Sequence, residues 1–332
     1  MDLALKFRPH SWQEVVGQPS IISILQRQVA TKSWKNTYLF TGPHGCGKTT
    51  VARILANEIN NGEGQPIEID GASNNGVDNI RNLIMDAQQS SIDCDYKVYI
   101  IDEAHQLTRA AWDASLKLIE EPPLGAIFIF CTTNPNKIPG TILSRVQRFD
   151  FKRVDKETIS NRLEYIMNEE CHKTYDKLAL DRIAILSNGH VRDAIKLLDK
   201  CLSTSDDLTL DNVESILGLV KYDSMLKIVE GIMSKNLSIC LDELNHIKSF
   251  SSDLTQAYES ILSFSIDCAI YSKLGNARYV DIPKSLASKL ITDPDTCTLF
   301  VDRLMEFRKY LDGTNAEVFL KTVFLEMCND SK

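Results

Sequence analysis

The chain has 332 residues, enough for two or three domains, and its 43% hydrophobic and 25% charged residues make an ordinary globular composition. A formal net charge of −8 and a pI near 5.4 argue against a protein that coats nucleic acid through bulk electrostatics, although a ring or spiral can line its inner face with a few Lys/Arg and helix N-termini. No stretch approaches the roughly 18 uninterrupted apolar residues that span a bilayer, Met1-Asp2-Leu3-Ala4-Leu5-Lys6 lacks a signal-peptide core, and the nine cysteines are scattered without a CxxC or Cys/His cluster; a cytoplasmic protein with reduced thiols, no disulfides and no zinc is expected.

From residue 37 to about 151, short apolar runs alternate with amphipathic helical stretches. The runs Tyr38–Thr41, Pro66–Asp70, Lys97–Asp102, Ala126–Thr132 and Val146–Phe151 predict an α/β domain with a parallel sheet and covering helices. The first run leads into Gly42-Pro43-His44-Gly45-Cys46-Gly47-Lys48-Thr49, followed by Thr50-Val51-Ala52-Arg53-Ile54-Leu55-Ala56. A strand, a glycine turn and a helix start stand here in the order phosphate binding requires. Glycines let the backbone wrap a phosphate, so successive N–H groups and the positive end of the helix dipole face the β-phosphate. Lys48 is expected to reach the β- and γ-oxygens and Thr49 to give a hydroxyl to Mg²⁺. Residues Gly42 to Thr50 are thus the expected cradle of a nucleoside triphosphate.

The third run ends in Asp102-Glu103, at the carboxyl edge of such a sheet, beside the phosphate loop. Asp102 is expected to hold Mg²⁺, and Glu103, one residue further, to orient and polarise the attacking water. His105 completes Asp-Glu-Ala-His, the letters of a DEAH-box helicase, but no Gln/Gly/Arg-rich arginine motif follows downstream. His105 is read as positional rather than catalytic.

After about Asp155 the pattern turns helical. No proline lies between Pro139 and Pro283, and apolar residues recur at helical spacing, as in Ile159, Leu163, Ile166 and Met167, or Ala194, Ile195, Leu197 and Leu198. A break is expected between Gly218 and Asp223, with Asp223 capping the next helix. Helices over Leu254–Leu274 and Cys297–Leu311 are apolar enough for a core and a subunit interface, and periodicity does not separate the two. The C-terminal third carries no recognisable chemistry.

Seven collinear blocks add a family resemblance over most of the first 220 positions. They are Phe7-Arg8-Pro9-His10-Ser11-Trp12-Gln13-Glu14-Val15-Val16-Gly17-Gln18, the phosphate loop, Ile67-Glu68-Ile69-Asp70-Gly71-Ala72-Ser73, Lys97 to His105, Leu116 to Pro123, Cys131-Thr132-Thr133-Asn134-Pro135, and Ile138 to Arg145. In order and spacing the chain resembles clamp-loader ATPases of the AAA+ class, namely the gamma/tau subunit of bacterial DNA polymerase III and, more distantly, replication factor C small subunits. The resemblance implies that Arg8 and Pro9 lie over the adenine, with Val16 beside it. It makes Thr133 the first sensor of the γ-phosphate, with Asn134 a close second, Arg145 an arginine finger for the neighbouring subunit, and Arg192 the lid arginine that senses nucleotide from above. Fingers of this kind contribute on the order of 10³–10⁵ in rate. Helix N-termini track the template backbone in this family, which points at Asn75 and Arg81 and at Arg109.

The implied organisation is an AAA+ nucleotide-binding domain over 1–152, a helical lid over 153–220 and a helical collar over 221–332. ATP and Mg²⁺ are the implied cofactors, and the implied partners are a sliding clamp, primer-template DNA and further clamp-loader subunits in a five-membered assembly. A clamp-facing surface is placed near Met85 to Cys94. Two departures stand out. Asn60-Asn61-Gly62-Glu63-Gly64-Gln65 occupies the gap where cellular gamma/tau subunits carry a four-cysteine zinc module, which admits a phage-borne or reduced loader, and Val146 replaces the cysteine after the finger. The chain stops without a tau-like extension, so polymerase coupling is not expected of it. Two other readings remain: a different AAA+ DNA motor, such as a branch-migration helicase, and a non-enzymatic stator, which intact Lys48, Thr49, Asp102 and Glu103 oppose.

Overall fold

Continuous apolar runs become fully buried strands when both faces of a parallel sheet are covered. In a computed structural model that describes residues 2–89, 93–171, 174–205, 207–250, 254–276, 279–283, 287, 293–312 and 314–329, the five expected runs are strands β1 (Thr37–Thr41), β2 (Ile67–Asp70), β3 (Lys97–Asp102), β4 (Ala126–Thr132) and β5 (Gln147–Asp150). They form one sheet in the order β2-β3-β4-β1-β5, and every pairing is parallel. Pro66 stands just outside β2 because it has no N–H for the ladder. Phe151 lies beyond β5 yet still donates its N–H to the Thr41 carbonyl at 2.7 Å.

Side chains alternate across the sheet. Tyr38, Phe40, Val98, Ile100, Ile127 and Ile129 point to one face, where they meet helices α2 (Pro19–Ala30) and α3 (Lys48–Ile59), which follow the short α1 (Leu3–Lys6) in the chain. Leu39, Tyr99, Ile101, Phe128 and Phe130 point to the other, under α4 (Val77–Ala87) and α5 (Arg109–Glu120). Tyr99 stacks on Phe128 with centroids 5.1 Å apart, and Trp112 of α5 packs on Phe130 at 5.2 Å. These contacts hold both layers in register with the strand ends.

Helices α6 (Gly140–Leu143), α7 (Lys156–Ile166), α8 (Lys177–Leu186), α9 (Val191–Thr204), α10 (Leu210–Leu217), α11 (Tyr222–Met233), α12 (Leu237–Phe250), α13 (Leu254–Leu274), α14 (Pro294–Arg308) and α15 (Ala316–Cys328) complete the described secondary structure, apart from short 3₁₀ turns and a π turn over Met167–Cys171. The chain divides into two compact units, Met1–His172 with Ile183–Lys200, and Lys173–Arg182 with Cys201–Lys332. The second unit packs α10 to α15 around Ile228, Cys240, Leu244, Tyr258, Ile261, Phe300, Leu320 and Phe324.

Three helical expectations shift. Asp223 does not cap α11: the N-cap is Lys221, and Asp223 lies in the first turn, where it complements the helix dipole. The helix starts early because the Tyr222 N–H is taken by the Glu214 carboxylate at 3.3 Å. The helix expected over Cys297–Leu311 runs over Pro294–Arg308, since Asp293 caps it by accepting from the Thr296 N–H and Pro294 takes the first position. An isolated bridge between Tyr175 and Leu208 interrupts the otherwise helical second half. Of the stretch from Met85 to Cys94, residues 90–92 lie outside the described residues, while Met85 is exposed at the end of α4.

Candidate nucleotide-binding site

β1 sits between β4 and β5, so the loop leaving its carboxyl end opens at the point where the sheet's connections diverge. The loop needs its glycines. Gly42 has φ 145°, and a Cβ there would come within 2.5 Å of the Phe151 carbonyl oxygen; Gly47 has φ 99° and caps α3 with no atom within 4 Å of where a Cβ would stand. The first keeps the strand close to β5, and the second leaves the α3 N-terminus uncovered.

Lys48 is buried, and its ammonium donates to the carbonyls of Gly42 at 2.8 Å and Pro43 at 2.7 Å. Thr49 donates its hydroxyl to Asp102 Oδ2 at 2.7 Å. A hydroxyl and a carboxylate, both hard oxygen donors, thus converge at the mouth of the loop, which is the donor chemistry Mg²⁺ takes. The open glycine turn, the α3 N-terminus and this oxygen pair together fit a magnesium-bound triphosphate.

One cleft collects Arg8, Pro9, Val16, His44, Gly45, Cys46, Gly47, Lys48, Thr49, Thr50, Asp102, Glu103 and Arg192. Arg8 points its Nε at the Thr50 hydroxyl, 3.5 Å away, and its pKa is lowered by burial and then by the nearby Arg53. A half-buried guanidinium beside other cations favours an incoming anion, although Glu68 and Asp102 already pull the other way. Gly42 and Pro43 instead line a shallower concavity with His105, Thr133, Asn134 and Arg153, and His44 borders both. The expected residues are therefore divided between the two sides of the loop.

Glu103 adopts a left-handed backbone, φ 47° and ψ 41°, uncommon for a residue with a side chain. Its Oε2 accepts from the Thr133 hydroxyl at 3.0 Å and lies 3.1 Å from His105 Nδ1, and its Oε1 is 3.5 Å from His44 Nδ1. His105 Nδ1 is also 3.2 Å from the Thr132 hydroxyl. Of the two sensor candidates, Thr133 touches Glu103, whereas Asn134 gives its backbone N–H to Thr132 Oγ1 at 3.1 Å. His44 and His105 thus belong to the carboxylate's surroundings; the first was expected only as part of the phosphate cradle.

Other parts of the cleft were not legible beforehand. Ala4, Leu5 and Phe7 form part of its wall. Arg162 of α7 lines it too, donating to the Phe7 carbonyl at 2.9 Å, with its pKa lowered chiefly by burial. No motif surrounds Arg162; its one sequence signal is a basic residue next to the buried face formed by Ile159 and Leu163.

Arg145, just past α6, is exposed and pairs with Glu120 at 2.7 Å. At the carboxyl edge of the sheet, Asp70 builds the turn into α4 by accepting from Ala72 N at 3.0 Å and Ser73 Oγ at 2.7 Å, and the Asn75 carbonyl accepts the Thr108 N–H at 3.1 Å. The starts of α4 and α5 are tied together in this way. Asn75, Arg81 and Arg109 are all exposed there, and Arg81 pairs with Asp78 at 3.0 Å.

Residues 62–155 match the family described as DNA polymerase III, delta subunit. The chain is 38% identical over 287 residues to the tau subunit of DNA polymerase III from Bacillus subtilis, covering 80% of this chain and 51% of that protein. With the gamma subunit of Buchnera aphidicola from Acyrthosiphon pisum it shares 31% identity, over 79% of this chain and 78% of that protein. The chain spans about half the length of several relatives it matches. Among solved structures, the Thermotoga maritima RuvB Holliday junction branch migration motor superposes with a TM-score of 0.54 at 20% identity, covering 68% of this chain and 79% of that one. This likeness shows the fold, an α/β P-loop fold of the AAA+ class followed by helices. The match over more than three quarters of a gamma subunit goes further: this chain belongs to the family of DNA polymerase III gamma/tau subunits.

Proposed function

We propose that the chain is an ATPase subunit of a DNA sliding-clamp loader, which uses ATP binding and hydrolysis to open a clamp and place it on primer-template DNA during replication. The observation that carries this reading is the Thr49–Asp102 pair at 2.7 Å, beside Glu103, in a chain of the gamma/tau family. Arg8, Pro9 and Val16 hold the base, the loop from Gly42 to Thr50 holds the phosphates, and Lys48 exchanges its loop carbonyls for phosphate oxygens. Thr49 and Asp102 would hold Mg²⁺, which would supply neutralisation of phosphate charge. Glu103 orients the attacking water, Thr133 links that carboxylate to the γ-phosphate, with Asn134 the alternative sensor, and Arg192 reports on the nucleotide from the lid.

Arg145 acts in the site of the neighbouring subunit, so the working unit is an oligomer of head-to-tail contacts, five-membered by the family resemblance. In this reading residues 1–152 bind nucleotide, 153–220 form the lid and 221–332 the collar. Asn75, Arg81 and Arg109, at the joined starts of α4 and α5, contact the DNA backbone, which makes binding salt-dependent and independent of sequence. The location is cytoplasmic, and zinc has no role.

The test is steady-state ATP turnover by the chain assembled with its partner subunits: alone, with primer-template DNA, with the matching sliding clamp, and with both. Synergy between clamp and primed DNA is the expected result. Stimulation by duplex or junction DNA that no clamp alters would instead make the protein a DNA-translocating motor.

A further inference from the structure

Arg145 does not extend freely from the end of α6. Its Nε donates to Glu120 Oε1 at 2.7 Å, and its Nη1 donates to the Thr141 carbonyl at 2.8 Å and the Ser144 hydroxyl at 3.0 Å. Ser144 Oγ in turn donates to the same Thr141 carbonyl at 3.0 Å. A guanidinium carries five N–H donors in a fixed plane. Three are engaged here, and the two on Nη2 have no hydrogen-bond partner among the described residues.

The two anchors share one foundation. Glu120 is the last residue of α5, whose Trp112, Leu118 and Ile119 are buried against the sheet, and α6 is fixed by the fully buried Ile142 in the same cluster. Both anchors therefore stand on elements packed into one cluster, and together they restrict where the guanidinium plane can lie. The pair itself is exposed, at 40% for Arg145 and 47% for Glu120. An ion pair that exposed contributes little to stability; what its geometry does is fix Nε while Nη1 is held by Thr141 and Ser144.

We infer that Glu120 is a positioning residue for the finger: it holds Nε so that Nη2 points outward as a preset pair of donors for the γ-phosphate of the neighbouring subunit. This rests on the reading of Arg145 as a finger in trans. An unanchored arginine loses rotamer freedom when it engages a phosphate, and a preset one has already lost it. Glu120 touches neither nucleotide nor water. Its contribution passes through Arg145 to a site on another subunit.

The experiment measures kcat and KM for ATP on the complete assembly with saturating clamp and primed DNA, for wild type, Arg145→Ala, Glu120→Ala and Glu120→Gln. Glu120→Ala is expected to lower kcat about tenfold with KM unchanged, because the finger is misplaced while the groups that bind ATP are intact. Glu120→Gln keeps an oxygen to accept from Nε and is expected to stay within about threefold of wild type. A second arm dopes wild-type subunits with Lys48→Ala subunits, with and without Glu120→Ala on the same chain. The doubly substituted donor is expected to lower turnover per wild-type subunit further, an effect in trans that a local packing defect does not produce. Normal turnover of Arg145→Ala overturns the finger reading and this inference with it. A crippled Arg145→Ala beside a Glu120→Ala as fast as wild type, or faster, overturns the positioning role alone.

Discussion

The two compact units place their ionised groups in opposite settings. In the first, Lys48, Asp102, Glu103 and Arg8 sit at strand ends and loop turns, lining a cleft and held by contacts they can exchange, such as the loop carbonyls under the Lys48 ammonium. In the second, Arg182 and Glu214 are buried: Arg182 donates to the Tyr222 hydroxyl at 2.8 Å, its guanidinium lies 4.2 Å from the centre of the Tyr222 ring, and its Nε is 3.7 Å from Glu214. Charges that partner one another inside a helical core fix an arrangement; charges facing a cleft with provisional partners can take a ligand. The contrast separates chemistry from architecture without any motif in the second unit.

Substitution of the loop lysine should break that contrast most sharply. Lys48→Ala is expected to reduce ATP turnover on the order of 10³-fold, the scale of losing one fixed charge at the reacting phosphate, while thermal unfolding of the helical unit stays at the wild-type midpoint. Turnover that persists in this variant would falsify the site. The converse substitution is Phe324→Ala, which removes a ring with no exposed surface from the helical core. It is expected to cost roughly 3–5 kcal/mol of stability by urea unfolding, with nucleotide binding by the first unit retained.

A smaller effect concerns pH. Burial pushes the Glu214 carboxyl up to about 7, against the opposing pull of Arg182. Because its folded pKa lies above its unfolded value of 4.5, the protonated form is favoured by folding. The associated stability is complete below about pH 4.5, declines as pH rises toward 7, and is gone above that. Wild type should therefore lose on the order of 2 kcal/mol between pH 5 and 8 relative to Glu214→Gln, which does not titrate. Carboxyls held low, such as Asp86 by Tyr99 and Asp155 by the Thr158 N–H, lose their contribution only below this window and do not obscure the difference. Parallel pH profiles for the two proteins would assign Glu214 no titration here.

How far these features could be read from sequence follows the range of the forces involved. Strands β1, β3 and β4 were legible to within a residue because burial on both faces demands apolar runs, β2 and β5 by their place in the alternation although they are largely exposed, and the phosphate loop because its glycines are local requirements. The wall that Arg162 makes with Phe7 is a contact between residues 155 positions apart, which no window of sequence contains. The start of α11 was misplaced for the same reason: Glu214, eight residues upstream, supplies the oxygen that Asp223 was expected to provide. Glu120 stood inside a quoted block, yet its pairing with Arg145 depends on the end of α5 meeting α6 in space.

The finest distinction concerns His105, where position and chemistry are hardest to tell apart. Its ring is mostly buried, with Nδ1 3.1 Å from Glu103 Oε2 and 3.2 Å from the Thr132 hydroxyl. A donor at Nδ1 steadies the carboxylate without a contact of its own to substrate, since His105 lines the shallower concavity and not the nucleotide cleft. Glu103 also carries an uncommon left-handed backbone, so its carboxylate depends on side-chain contacts to stay aimed. His105→Ala is expected to lower kcat about tenfold and leave KM for ATP unchanged, the size of a positioning defect and not of a lost acid or base. His105→Asn, whose amide N–H reaches the place of Nδ1–H, should recover most of that loss. Recovery by Asn shows that a donor at that point suffices; a loss as deep as that of Glu103→Gln, unrelieved by Asn, would make His105 part of the proton chemistry itself.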